Sequence, residues 1–244
     1  MELYPAIDLR GGRCVRLRQG DYGDETVYGD DPVAVARGFA AAGASWVHVV
    51  DLDAARTGEP VNRTAIAAVA AAVDARVQSG GGVRDEAAAE ALFDAGVHRV
   101  VLGTAAMEDP GLVAGLAAAH PGGVAVGLDT RGGEVAVRGW TEGAGVPLLD
   151  AVRRFDDVGV AALVVTEISR DGTLAGPDLD ALAAVLGATT VDVVASGGVG
   201  TLDDLQALAR LSVVGRVLAG AIVGKALYEG AFTVEQALAT TSGR

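Results

Sequence analysis

Short apolar runs alternate with longer helical patterns along the whole chain. The runs at about 2–7, 46–52 ("WVHVVDL"), 75–79, 99–103, 124–129, 162–167, 191–196 and 216–224 read as β-strands. Between them lie Ala-rich stretches with helical periodicity: "DPVAVARGFAAAG", "NRTAIAAVAAAVD", "DEAAAEALFDAG", "DPGLVAGLAAAH", "PLLDAVRRFDDVG", "PDLDALAAVLG" and "TLDDLQALARL". A final helix is expected over about 225–240. Several helices open on Asp or Thr as a cap or carry Pro in the first turn, and several end in glycine. Eight strands, each followed by a helix, in 244 residues predict an α/β fold, a (β/α)8 TIM barrel. A doubly wound open sheet is the alternative, but it has fewer strands at this length, and no GxGxxG opens a helix here. With no linker and no shift in composition, residues 1–244 read as a single domain.

The pattern also repeats. "PAIDLRGGRCVRLRQGD" (5–21) and "VGLDTRGGEVAVRGWTE" (126–142) share an apolar run, an aspartate, Arg-Gly-Gly, a short apolar segment and an arginine. Asp8 and Asp129 are 121 positions apart (129 − 8). "SGGGVRDEAAAEAL" (79–92) matches "SGGVGTLDDLQAL" (196–208), and "RVVLGTAAMED" (99–109) matches "LAGAIVGKALYEG" (218–230). Gly103 and Gly224 are again 121 apart (224 − 103). The chain is therefore expected to be two related half-barrels, about 1–120 and 121–244. That duplication sets Asp8 and Asp129 at the ends of strands 1 and 5, opposite each other across the mouth.

Composition narrows the function classes. Half the chain is hydrophobic but only 4% is aromatic, so the core is Ala, Val and Leu, as where helices pack on strands. The 35 glycines cluster after apolar runs and point to tight strand-to-helix turns. A net charge of −13 argues against a nucleic-acid partner or an anionic membrane surface. It leaves room for a local positive pocket and a small phosphorylated substrate. Cys14 is the only cysteine, which excludes an internal disulfide and a cysteine metal cluster. His48, His98 and His120 are far apart without ligand spacing, so no metal is expected. The N-terminus lacks the features of a signal peptide, and no apolar run reaches the roughly 18 residues needed to span a bilayer. A cytoplasmic monomer without a membrane partner is the expectation.

Active sites of this fold sit at the carboxyl ends of the strands, where the polar positions are Asp8, Asp51, Asp129, Thr166 and Ser196. An isolated Asp at a strand end often caps a loop or pairs with an arginine. Two opposed carboxylates instead suit general acid–base work, provided their environments separate their pKa values. The same pair could serve a glycosidase, but nothing else supports a sugar-polymer cleft. The glycine loops are the second signal, offering bare backbone N–H groups to an anion at a helix start. Gly197, Gly198 and Gly224 form the pair after strands 7 and 8. Gly81 and Gly82 with Gly103 and Thr104 form its echo after strands 3 and 4. Turn glycines would look alike singly; two symmetric pairs imply a substrate with a phosphate at each end. Arg16 and Arg138 are placed to reach over the mouth, Trp140 to stack on a planar ring, and Asp171 to add a third carboxylate. Trp46 begins an apolar strand and reads as core. The acidic segment 21–31 reads as a mobile lid or a solvated loop.

At these residues the sequence resembles the histidine-biosynthesis isomerases that act on phosphoribosylformimino-AICAR-phosphate. The likeness spans essentially the whole chain through "AIDLRGGRCVRLRQGD", "VVDLDAA", "QSGGGVR", "VLGTAA", "LDTRGGEVAVRGW", "TEISRDGTLAGPD", "ASGGV" and "AIVGKALYEG". It implies an Amadori rearrangement of an aminoaldose phosphate to an aminoketose phosphate, with no metal or cofactor. On it, Asp8 is the general base, Asp129 the general acid and Thr166 assists near the ring, while both glycine-loop pairs hold phosphates. "VRGWTEG" and "ASGGVGTLDDLQAL" also resemble the actinobacterial dual-substrate branch, which additionally isomerises phosphoribosylanthranilate for tryptophan synthesis. That branch carries a serine where Gly80 stands, so the tryptophan-pathway reaction is expected to be the weaker. Rivals are the related cyclase subunit of imidazole glycerol phosphate synthase, which has a lysine in place of Arg16, and a Schiff-base aldolase, for which only Lys225 is available. A non-catalytic sugar-phosphate-binding barrel would keep the glycine loops without needing Asp8 and Asp129.

Overall fold

The computed structural model describes residues 1–242. Eight parallel strands form a closed barrel: β1 (Glu2–Arg10), β2 (Trp46–Asp51), β3 (Arg76–Gly80), β4 (Arg99–Leu102), β5 (Val124–Arg131), β6 (Ala162–Glu167), β7 (Val193–Ser196) and β8 (Gly220–Val223). Each strand is bonded to its successor in the chain, and β8 returns to β1. Helices follow the strands on the outside, and no helix is long and apolar enough to cross a membrane.

Alternation along each strand sorts side chains into two cores. Leu3, Ile7 and Leu9 of β1 join the large core between barrel and helices. Tyr4 and Ala6 point the other way, into a smaller interior core with Trp46, Ala125, Ala162, Val164, Val194 and Ile222. The same two-residue period carries four of the inward columns to a polar end at the mouth. Asp8 follows Ala6, Asp129 follows Ala125, Thr166 follows Val164 and Ser196 follows Val194. Strand geometry thus delivers the candidate residues to one place.

Several elements differ from the sequence reading. The Arg-Gly-Gly stretches make hairpins: Gly11 and Gly12 have φ of 55° and 78°, and Gly132 and Gly133 have φ of 62° and 85°. Positive φ at both central residues matches the twist of paired strands, and glycine adopts it without strain. Strands Arg13–Arg18 and Glu134–Val137 then run back antiparallel to β1 and β5. The acidic segment, expected as a lid or loop, is largely a strand, Asp21–Gly29, paired with Arg13–Arg18. A short helix, Leu52–Thr57, follows β2 at once. The run read as strand 216–224 divides into a two-residue hairpin arm, Arg216–Val217, and β8.

The last helix, expected over 225–240, is two helices, Lys225–Tyr228 and Val234–Ser242. Gly230 turns left-handed between them, with φ of 67°. Thr233 then restarts the helix: its hydroxyl accepts from the Gln236 amide at 3.2 Å, and the Gln236 side chain accepts from the Thr233 amide at 2.9 Å. This reciprocal pair satisfies two helix-start donors. Thr233→Ala should therefore lower unfolding free energy by about 1 kcal/mol in urea denaturation, and an unchanged midpoint would show that the last helix does not depend on this cap.

Candidate active site

The mouth of the barrel gathers three carboxylates, one of them ion-paired to a guanidinium. Arg16, on the strand returning from the first hairpin, donates from Nη1 to Asp8 Oδ2 at 2.8 Å and from Nη2 to the Ala6 carbonyl. Its guanidinium lies over the Tyr228 ring, 5.3 Å from the centroid. A Cβ at Gly224 would overlap that guanidinium, so glycine there is what admits Arg16. Burial pushes the Asp8 carboxyl above the ordinary range, against the opposing pull of Arg16.

Asp129 has a different environment. Trp140 Nε1 donates to its Oδ2 at 2.7 Å, and the Thr166 hydroxyl also bonds to it. Thr166 is its register neighbour on β6. Burial raises the Asp129 pKa, and these two neutral donors lower it only in part. Among the described residues no ion pair reaches Asp129, whereas Asp8 has one. Asp171, in the loop after β6, is pushed up to about 6, first by burial and next by the charge of Asp8, with Arg16 opposing and Asp129 adding to the rise. Gly197 lies against both Asp171 and Thr166, since a Cβ there would sit 3.5 Å from each. Ser196 is beside Thr166 in register.

The two glycine-loop pairs share one backbone. Gly81 and Gly82 have φ of 95° and 70°, and Gly197 and Gly198 have φ of 88° and 86°. In each loop the second glycine packs on backbone, of Ala54 in one and Gly176 in the other, where a Cβ would overlap it. Gly103 (φ −101°, ψ −99°) and Gly224 (φ −116°, ψ −91°) likewise match, each opening a short helix. The Thr104 hydroxyl is already engaged, accepting from the Arg138 amide at 2.7 Å.

Loop 5 departs from expectation. Arg138 was expected over the mouth, but its guanidinium is held by Glu142 at 3.1 Å and Glu108 at 3.5 Å, with 60% of its side chain exposed. Trp140 goes inward instead and lies against Gly20 of loop 1, where a Cβ would overlap its ring. Both take positive φ, 54° for Arg138 and 70° for Trp140, a strain that packing must hold. Asp51, one of the polar strand ends, is structural: it caps Ala54 N at 2.9 Å and accepts from Asn62 Nδ2 at 2.7 Å. Lys225 donates to the Gly172 carbonyl at 3.0 Å, tying down loop 6.

Sequence reasoning missed Arg63 and Arg84. With Gly80, Gly81 and Gly82 they line a cavity of about 280 Å³ behind the first-half glycine loop. The signal was present for Arg84, an arginine two residues after the glycine run in "GGGVRD". Arg63 comes from a helix start that sequence does not connect to this loop.

Residues 2–233 match the family model described as "Histidine biosynthesis protein". The chain belongs to this family. A Rhodospirillum rubrum relative is 53% identical over 239 residues, covering 98% of both chains. A Paracoccus denitrificans relative is 52% identical over 238 residues, again covering 98% of both. A Synechococcus relative is 51% identical over 245 residues, covering all of this chain and 95% of its own. All three are named 1-(5-phosphoribosyl)-5-((5-phosphoribosylamino)methylideneamino)imidazole-4-carboxamide isomerase.

Because Asp171 has a folded-state pKa of about 6, above its ordinary 3.8, the folded protein holds this proton more tightly than the unfolded chain. Its ionisation therefore costs stability that is intact below about pH 3.8 and lost as pH rises through 6. Asp171→Asn should raise Tm at pH 8 by at least about 2 °C, with the gain vanishing near pH 4. A gain of equal size at both pH values would place the effect outside this carboxylate's charge.

Proposed function

We propose that this chain catalyses the isomerisation named for its relatives, an aldose-to-ketose Amadori rearrangement of a substrate with two phosphoribosyl groups. The observation that carries the reading is the unequal setting of the two opposed aspartates. Asp8 has a cationic partner that offsets its charge, so it suits the base. Asp129, half-buried with only neutral donors in contact, suits the acid. In this assignment Asp129 gives its proton to the ring oxygen of the aminoaldose as the C1′–O bond breaks, leaving a protonated imine. Asp8 takes the proton from C2′, and the resulting enolamine settles as the ketone with a methylene at C1′. No atom is gained or lost, so neither an oxidant nor a cofactor enters. Thr166 orients Asp129, and Asp171 adds negative charge where the cationic imine forms.

The glycine-loop pairs are proposed to hold the two phosphates. Gly197, Gly198 and Gly224 take the phosphate nearer Arg16, while Gly81, Gly82, Gly103 and Thr104 take the other, with Arg84 and Arg63 behind the loop. Ser196 borders the first of these sites and Trp140 roofs the reacting ring. Each half of the chain supplies one aspartate and one glycine-loop pair, so a single domain acting as a monomer contains the whole site. Gly80 favours a single dominant reaction: a side chain there would begin 3.1 Å from Val101 Cβ and 3.2 Å from its carbonyl. With Arg138 paired to two glutamates as well, phosphoribosylanthranilate is proposed as a poor substrate.

Positioned proton transfer contributes about 10²–10⁴-fold to rate. Asp8→Asn and Asp129→Asn should each lose at least about 10²-fold in kcat on the aminoaldose while circular dichroism stays unchanged. Near-normal turnover by either variant removes that residue from the mechanism, and no turnover by the unmodified chain overturns the proposed function.

A further inference from the structure

The lower ends of the inward columns make a second constellation, at the opposite end of the barrel from the three carboxylates. Trp46, Arg76, Arg99 and Ala162 are the first residues of β2, β3, β4 and β6. With Glu2, Tyr4 and Asp192 they line a cavity of about 360 Å³, within the size range of small-molecule sites. Trp46 and Tyr4 are buried and form its apolar base, with ring centroids 5.3 Å apart.

Two guanidinium groups share the Trp46 ring. Arg76 Cζ is 4.2 Å from its centroid and Arg99 Cζ is 4.6 Å away. Stacking on an indole favours each cation but neutralises neither. Among the described residues neither arginine forms an ion pair. Arg99 makes two long hydrogen bonds, 3.3 Å to the Tyr4 hydroxyl and 3.5 Å to Gln78 Oε1, and its buried Nε has no partner. Glu2 is engaged by the Ser45 hydroxyl, and Asp192 stands exposed at the rim. Above this cluster, Gln78 bonds to His48 at 3.0 Å. Burial and the Arg16 charge lower the pKa of His48 to about 3, so it is neutral between the two ends. The lower cavity is thus separate from the catalytic mouth.

Guanidinium groups free of ion pairs, with spare planar donors, are the arrangement that recognises oxyanions. We propose that this end of the barrel is a second binding site, for a small molecule bearing a phosphate or carboxylate group gripped by Arg76 and Arg99 beside Trp46. It is independent of the isomerase reading, because turnover plays no part in its readout.

The chain's two tryptophans allow a direct test, since Trp140→Phe leaves Trp46 as the sole tryptophan, excited selectively at the red edge of the absorption band. In that background, inorganic phosphate and succinate are titrated separately at constant ionic strength set with chloride. At least one should change Trp46 emission saturably with a Kd of about 1 mM or tighter, and the tighter probe identifies the head group. Arg76→Gln and Arg99→Gln should each weaken that Kd at least about tenfold. Arg76 is an exposed rim residue, so its variant decides the matter even where Arg99→Gln fails to fold. A change that chloride alone reproduces, one that persists in Arg76→Gln, or no saturable change with either probe overturns the proposal.

Discussion

The Arg16 guanidinium donates to Asp8 at 2.8 Å inside a mouth that also holds Asp129 and Asp171 partly away from water. Three carboxylates and one cation cannot all be charged there without cost, and the surroundings are arranged around that imbalance. Gly224 clears space for Arg16, Tyr228 supplies a ring beneath it, and Trp140 closes over Asp129. The carboxylates respond by holding protons above their ordinary range, a shift in the direction that suits groups which give and take protons.

The internal repeat gives the site its two-sided plan. Both halves repeat a strand ending in Asp, an Arg-Gly-Gly hairpin, and a glycine loop with two left-handed residues. Where the halves differ, chemistry differs. The first hairpin sends Arg16 back to its own aspartate, while the second sends Trp140. A repeated scaffold therefore yields one carboxylate with a cation and one without, which is what an acid–base pair requires.

Much of this was legible in the sequence, for stated physical reasons. Buried parallel strands read as apolar runs, and the 121-residue offset between Asp8 and Asp129 marks the mouth in the sequence itself. Strand Asp21–Gly29 was not legible, because it is mostly exposed and lacks the apolar alternation that marks a half-buried strand. The split of the last helix is marked in the sequence by Gly230 and the Thr233–Gln236 spacing. Asp51 and Asp8 end adjacent strands with similar local sequences, and only tertiary contacts make one a cap and the other a partner of Arg16. The inward choice of Trp140 over Arg138 likewise depends on Glu108, Glu142 and Gly20, which come from other segments or from the far side of the loop.

The unequal setting of Asp8 and Asp129 is the central claim, and carboxyl ¹³C NMR titration of the intact, unliganded protein measures it directly. Resonances are assigned by the corresponding Asn variants. Asp129, without a cationic contact, should take up its proton at higher pH than Asp8, which Arg16 holds toward the ionised form. The reverse order would contradict the assignment of base and acid.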